Sequence, residues 1–80
     1  MNSNMPQKEV TLYGTEHCHL CETAQEIIRL AGLTVTLIDI VDDDPLFEKY
    51  GMRIPVLQRT DTLAELDWPF NTESVIQFLF

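Results

Sequence analysis

Lys8-Glu9-Val10-Thr11-Leu12-Tyr13-Gly14-Thr15-Glu16-His17-Cys18-His19-Leu20-Cys21 is the stretch whose periodicity governs the reading of this chain. Up to Tyr13 the side chains alternate, Val10 and Leu12 facing one way and Thr11 and Tyr13 the other, which is the period of a strand. Gly14 to His17 supply a loop. From Cys18 the period lengthens. Cys21, Ala24, Ile27, Ile28 and Ala31 fall on one apolar stripe, with Glu22, Gln25, Glu26 and Arg29 opposite, as in an amphipathic helix. Gly32 is its expected C-terminal cap. The chain has 2 cysteines, and both stand at this strand-to-helix junction. There the positive end of the helix dipole favours thiolate on the first sulfur, while the second lies one turn inward.

Leu33 to Ile40 reads as a second strand, with Val35 and Leu37 on one face and Ile38 and Ile40 on the other. Two apolar faces predict a place in the sheet interior. Asp42-Asp43-Asp44-Pro45 signals a helix start, with Asp44 as cap, Pro45 at the first helical position and a stop at Gly51. Ile54 to Gln58 and Thr62 to Leu66 are expected strands joined by Arg59-Thr60-Asp61. Asn71 caps a last helix, Phe70 and Val75 form a hydrophobic staple across its start, and Val75, Ile76 and Leu79 continue its apolar face. The order β-α-β-α-β-β-α predicts an α/β domain with a mixed four-stranded sheet and helices on both faces. Residues 1–7 read as a flexible tail and 8–80 as a single domain.

Eighty residues with 45% hydrophobic content limit the chain to one small core. The net charge of −8, from 13 acidic and 5 basic residues, repels phosphate backbones and anionic lipid, so neither nucleic acid nor membrane is an expected partner. No apolar run has signal-peptide or membrane-span length, which sets the cytoplasm as the expected location. Two cysteines cannot build the multi-bridge framework of small secreted domains.

The Cys18-x-x-Cys21 spacing suits a redox dithiol, and it also supplies half of a tetrahedral zinc site. No second cysteine pair exists, and His17 and His19 flank Cys18 too closely to converge with it on one ion. The dithiol is therefore favoured over metal ligation or two inert cysteines. Pro55 opens an apolar strand; on its own it reads as a trans proline at a strand start. His19 either stabilises a neighbouring thiolate or faces solvent in the first helical turn, and His17 is a loop residue. Arg53 either anchors a substrate carboxylate or pairs with a nearby acid. Trp68 and Phe70 read as a packed lid rather than a binding lip. The Asp42-Asp43-Asp44 run lacks the spacing and glycine of a calcium loop.

Taken together, Cys-His-Leu-Cys at 18–21, Ile38-Asp39-Ile40 with the acids after it, Tyr50-Gly51 followed by Ile54-Pro55-Val56-Leu57, and Asp67-Trp68-Pro69-Phe70 resemble the small glutaredoxin-like proteins of the thioredoxin superfamily. The resemblance spans nearly all of residues 8–80. It implies a thioredoxin fold and a thiol-disulfide oxidoreductase acting in cell redox homeostasis, with Cys18 as nucleophile and Cys21 as resolving thiol. Pro55 would be the cis-proline that, with Ile54, Arg53 and His19, binds substrate. The implied partners are a disulfide-containing protein or small thiol and a recycling reductase or glutathione, acting on a monomer without metal or bound cofactor. The better-understood glutaredoxins carry Cys-Pro-Tyr-Cys, a basic residue before the first cysteine, Thr-Val-Pro, and a Gly-Gly-x-x-Asp grip on glutathione. This chain has His-Leu between the cysteines, Glu16, Arg53-Ile54-Pro55 and no double glycine. Glutathione is thus expected at most as a weak co-substrate. The rival readings are a metal or iron-sulfur carrier and a non-catalytic interaction module of the same fold.

Overall fold

The computed structural model describes residues 9–80, so the tail expected at 1–7 lies outside the described residues. Seven elements follow in the expected order: β1 (Glu9–Gly14), α1 (His19–Leu30), β2 (Thr34–Asp39), α2 (Asp44–Tyr50), β3 (Val56–Arg59), β4 (Glu65–Asp67) and α3 (Thr72–Leu79). The sheet order is β2-β1-β3-β4. β1 runs parallel to β2 and antiparallel to β3, and β4 is antiparallel to β3. This is an α/β thioredoxin fold with a mixed four-stranded sheet.

Strand alternation divides the core in two. On one face Val10, Leu12 and Leu57 meet Ala24 and Ile28 of α1 and Val75 and Leu79 of α3. On the other Val56 meets Ile40 and Tyr50, with Tyr13, Leu46 and Ile54 around them. Helices therefore cover both faces. At the end of α1 Gly32 adopts φ 84°, a conformation that favours glycine, and its N–H donates to the Arg29 carbonyl. At the start of α3 the Asn71 side chain accepts the Ser74 N–H while the Ser74 hydroxyl accepts the Asn71 N–H, a reciprocal capping box.

Four expectations need correction. β2 is an edge strand that pairs with β1 alone. Only Val35 and Ile38 of this strand are half-buried and its other residues are exposed, so its apolar pattern does not mark an interior strand. The cap of α2 is Asp43, whose carboxylate accepts the Leu46 N–H at 3.0 Å; Asp44 already lies in the first turn. The β3–β4 connection is longer than expected and occupies residues 60–64. In place of glycine, side chains close it: Arg59 grips Asp61 through two bonds of 2.8 and 2.6 Å, and Asp61 accepts the Thr62 N–H. Finally, Ile76 is exposed, and the buried face of α3 is Val75 and Leu79 with Phe78 beside them.

Candidate active site

β1 ends at Gly14, and the loop after it turns at His17, whose backbone is left-handed with φ 61°. That turn delivers Cys18 in an extended conformation as the N-cap of α1. The Cys18 sulfur occupies the place of a capping oxygen and accepts the Cys21 backbone N–H at 3.1 Å. Its carbonyl accepts the Glu22 N–H at 3.0 Å and so begins the helix. Cys18 and Cys21 are joined as a disulfide with their Cα atoms 5.2 Å apart. Cys18 is half-buried, whereas Cys21 is only 2% exposed.

Gly14 explains how Cys21 fits against the strand. A Cβ on Gly14 would stand 2.8 Å from the Cys21 sulfur and 3.2 Å from its Cβ. Without a side chain there, the helix start can approach the end of β1. Sequence reasoning placed Gly14 in a loop and missed this role; the signal was a glycine ending an alternating run just before the cysteine pair.

The Ile54–Pro55 peptide is cis, and so is Trp68–Pro69. Val56 pairs with Tyr13, so Pro55 lies at the level where β1 passes into the Cys18 loop. Arg53 turns toward β4. Its guanidinium donates to Glu65 at 2.7 Å and to Asp67 at 2.7 and 3.2 Å, and it lies 5.2 Å above the Tyr50 ring. These bonds, first those to Asp67, raise the guanidinium pKa further. His19 points outward: its side chain is 97% exposed, with Nδ1 3.8 Å from a Glu22 oxygen. Trp68 meets Phe70 edge to face with ring centroids 5.0 Å apart, and Phe70 is buried in the larger core cluster.

Beside Arg53 stands a polar group that the sequence did not disclose. Tyr50 stacks on Tyr13 at 4.2 Å and donates its hydroxyl to Glu65, while Tyr13 donates to Gln58 at 2.8 Å. Burial, then the Glu65 bond, raises the Tyr50 hydroxyl well above its usual pKa. The Tyr50 hydrogen bond and, against the opposing effect of burial, Arg53 hold the Glu65 carboxyl below its ordinary value; Arg53 does the same for Asp67. The β1–β3–β4 register brings Tyr13, Gln58 and Glu65 to one face, and the end of α2 with the residues after it brings Tyr50 and Arg53 to them.

Depressed carboxyl values fix the sign of a pH effect. In the unfolded chain these groups take up protons near pH ~4, before they do in the folded one. Their contribution is therefore present above that pH and is lost as pH falls through the lower folded values. Thermal melts should hold steady above about pH 5 and decline below about pH 4. Glu65→Gln combined with Asp67→Asn should reduce the acid limb, leaving the part due to Asp61, which Arg59 holds well below its ordinary value. An unchanged limb would show that the Arg53 pairs do not contribute to it.

Among the described residues, no helix is long and apolar enough to cross a membrane, and no group of three or more His, Cys, Asp or Glu is placed to hold a metal ion. The fold and the bonded pair at the start of α1 define a thioredoxin-fold protein with a Cys-x-x-Cys disulfide. The profile of the family described as Glutaredoxin-like domain (DUF836) matches residues 9–80, and the chain belongs to that glutaredoxin-like family. No curated protein matches it. Among solved structures, the crystal structure of target protein XcR50 from X. campestris is 38% identical with a TM-score of 0.83, covering 88% of this chain and 93% of that one. The solution structure of Ne2328 from Nitrosomonas europaea is 26% identical with a TM-score of 0.80 over 100% of both chains. Thioredoxin 1 from Thermosipho africanus shares the fold, at 16% identity and a TM-score of 0.58 over 86% of each chain.

Proposed function

We propose that this protein is a thiol-disulfide oxidoreductase whose Cys18 and Cys21 exchange electrons as a pair. The observation that carries the reading is the asymmetry of the two sulfurs: Cys18 caps α1 and accepts a backbone N–H, while Cys21 is buried behind it. In the reduced protein that N–H and the helix end favour a Cys18 thiolate, and the nearby Glu16 and Glu22 oppose it. The thiolate attacks a substrate disulfide, forming a Cys18–substrate bond and releasing one substrate thiolate. Cys21, as thiolate, then attacks the Cys18 sulfur, closing the intramolecular disulfide and releasing the second. Two electrons pass from the dithiol to the substrate, and a thiol reductant, either a reductase or glutathione, restores the protein. The Ile54–Pro55 peptide, with Ile54 half-buried and Pro55 buried, is the proposed rest for the substrate chain. Arg53, already held by two carboxylates, contributes to substrate binding only by exchanging one of them for a substrate group.

The site carries no bound cofactor in this reading, and the protein works as a monomer in the cytoplasm. Single-turnover reduction of a model peptide disulfide tests the reaction. One disulfide should be consumed per protein as the Cys18–Cys21 bond forms in the same time course. Survival of both thiols while the peptide disulfide persists would remove the reading.

A further inference from the structure

Resting on that dithiol-exchange reading, we propose that a cleft beside Cys21 selects disulfides carrying a lysine or arginine next to the reacting cysteine. The cleft has a volume of about 420 Å³ and is lined by Thr15, Glu16, His17, Cys21, Glu22, Gln25 and Leu37, its two carboxylates set against a single imidazole. This lies within the ~300–1,000 Å³ range of ligand pockets. It opens between the first turns of α1 and the edge strand β2. Cys21, the residue bonded to Cys18, therefore forms part of its wall, and whatever enters the cleft lies beside the partner of the attacking cysteine.

The lining suits a long cationic side chain. Leu37, 41% exposed, offers an apolar wall to a methylene stem, and Glu16 and Glu22 offer carboxylates to its charged end. The lysines and arginines among the described residues are engaged elsewhere. Arg29 meets Glu26 at 2.6 Å, Lys49 meets Glu65 at 3.9 Å, Arg53 meets Glu65 and Asp67 at 2.7 Å, and Arg59 meets Asp61 at 2.6 Å. Among the described residues neither Glu16 nor Glu22 has a lysine or arginine partner, and Glu22 faces only the outward His19 at 3.8 Å. An acidic mouth beside the cysteine pair attracts a cationic polypeptide and repels a disulfide bearing carboxylates, on a chain whose net charge is already −8.

The test uses the full-length reduced protein and three symmetric peptide disulfides with Arg, Gln or Glu beside the cysteine. Each single-turnover rate is divided by the rate with dithiothreitol, which removes the effect of flanking charge on the leaving thiol. The expected order is Arg, Gln, Glu, with the extremes separated by about tenfold or more at low salt and by much less at 0.5 M salt. Glu16→Gln with Glu22→Gln should shrink that ratio to within about threefold, as expected when local charges set the encounter rate. Glu48→Gln with Glu73→Gln, the same charge change on α2 and α3, should leave most of the ratio in place. Equal rates for the three peptides, or equal effects of the two double variants, would overturn the proposal while leaving dithiol exchange standing. No exchange with any peptide would remove both.

Discussion

Cys18→Ser is expected to abolish disulfide exchange, and Cys21→Ser to stop the reaction halfway, with substrate held on Cys18 as a mixed disulfide. The different outcomes follow from position. A serine hydroxyl at the start of α1 can still accept the Cys21 N–H, so the helix keeps its cap, but it cannot attack a disulfide near neutral pH. Turnover should fall by at least about a thousandfold, toward the uncatalysed rate. Cys21→Ser leaves the attacking sulfur in place and removes the one that releases the product. Non-reducing electrophoresis and intact-mass measurement after mixing with a peptide disulfide should show the adduct on Cys21→Ser and none on Cys18→Ser. Substantial exchange by Cys18→Ser would assign the chemistry to the wrong sulfur.

Leu12→Ala should have the largest effect on stability. Leu12 is fully buried at the middle of β1, directly opposite Leu37 of β2 and Leu57 of β3, and it packs in the larger core cluster. Truncation removes apolar contacts and leaves a cavity at the strand shared by both halves of the sheet, which costs about 2–5 kcal/mol. A chain of 80 residues has roughly 4–12 kcal/mol in total. The melting temperature should drop by about 10 °C or more. Leu30→Ala is the control: Leu30 is 69% exposed, and its loss should stay within about 0.5 kcal/mol. Comparable drops for the two variants would contradict the assigned core.

The order of elements was legible because each carries a local signal: alternation in β1, the apolar stripe of α1, Gly32, the aspartates before α2 and Asn71 before α3. Position within the sheet was not. Val35, Leu37, Ile38 and Ile40 put apolar groups on both faces of the second strand region, yet the strand lies at the edge with Leu37 41% exposed, so that pattern does not tell a central strand from an edge one. The β3–β4 turn was misjudged because Arg59, Asp61 and Thr62 build it through side-chain hydrogen bonds. At the site, the two cysteines and Pro55 stood out in sequence. The partners of Arg53 did not, since Glu65 and Asp67 reach it only once β4 pairs with β3. Gly14 was seen as a turn residue, and its closeness to Cys21 emerges only from packing.

The central claim is that the two sulfurs are unequal, with Cys18 presented at the helix start and Cys21 covered. Timed alkylation of the reduced protein near neutral pH, followed by mass spectrometry of the peptides containing each cysteine, measures this directly. Cys18 should be labelled at least about ten times faster than Cys21, because thiolate character and access both favour it. Equal labelling of the two cysteines, or faster labelling of Cys21, would contradict the assignment of attacker and resolver.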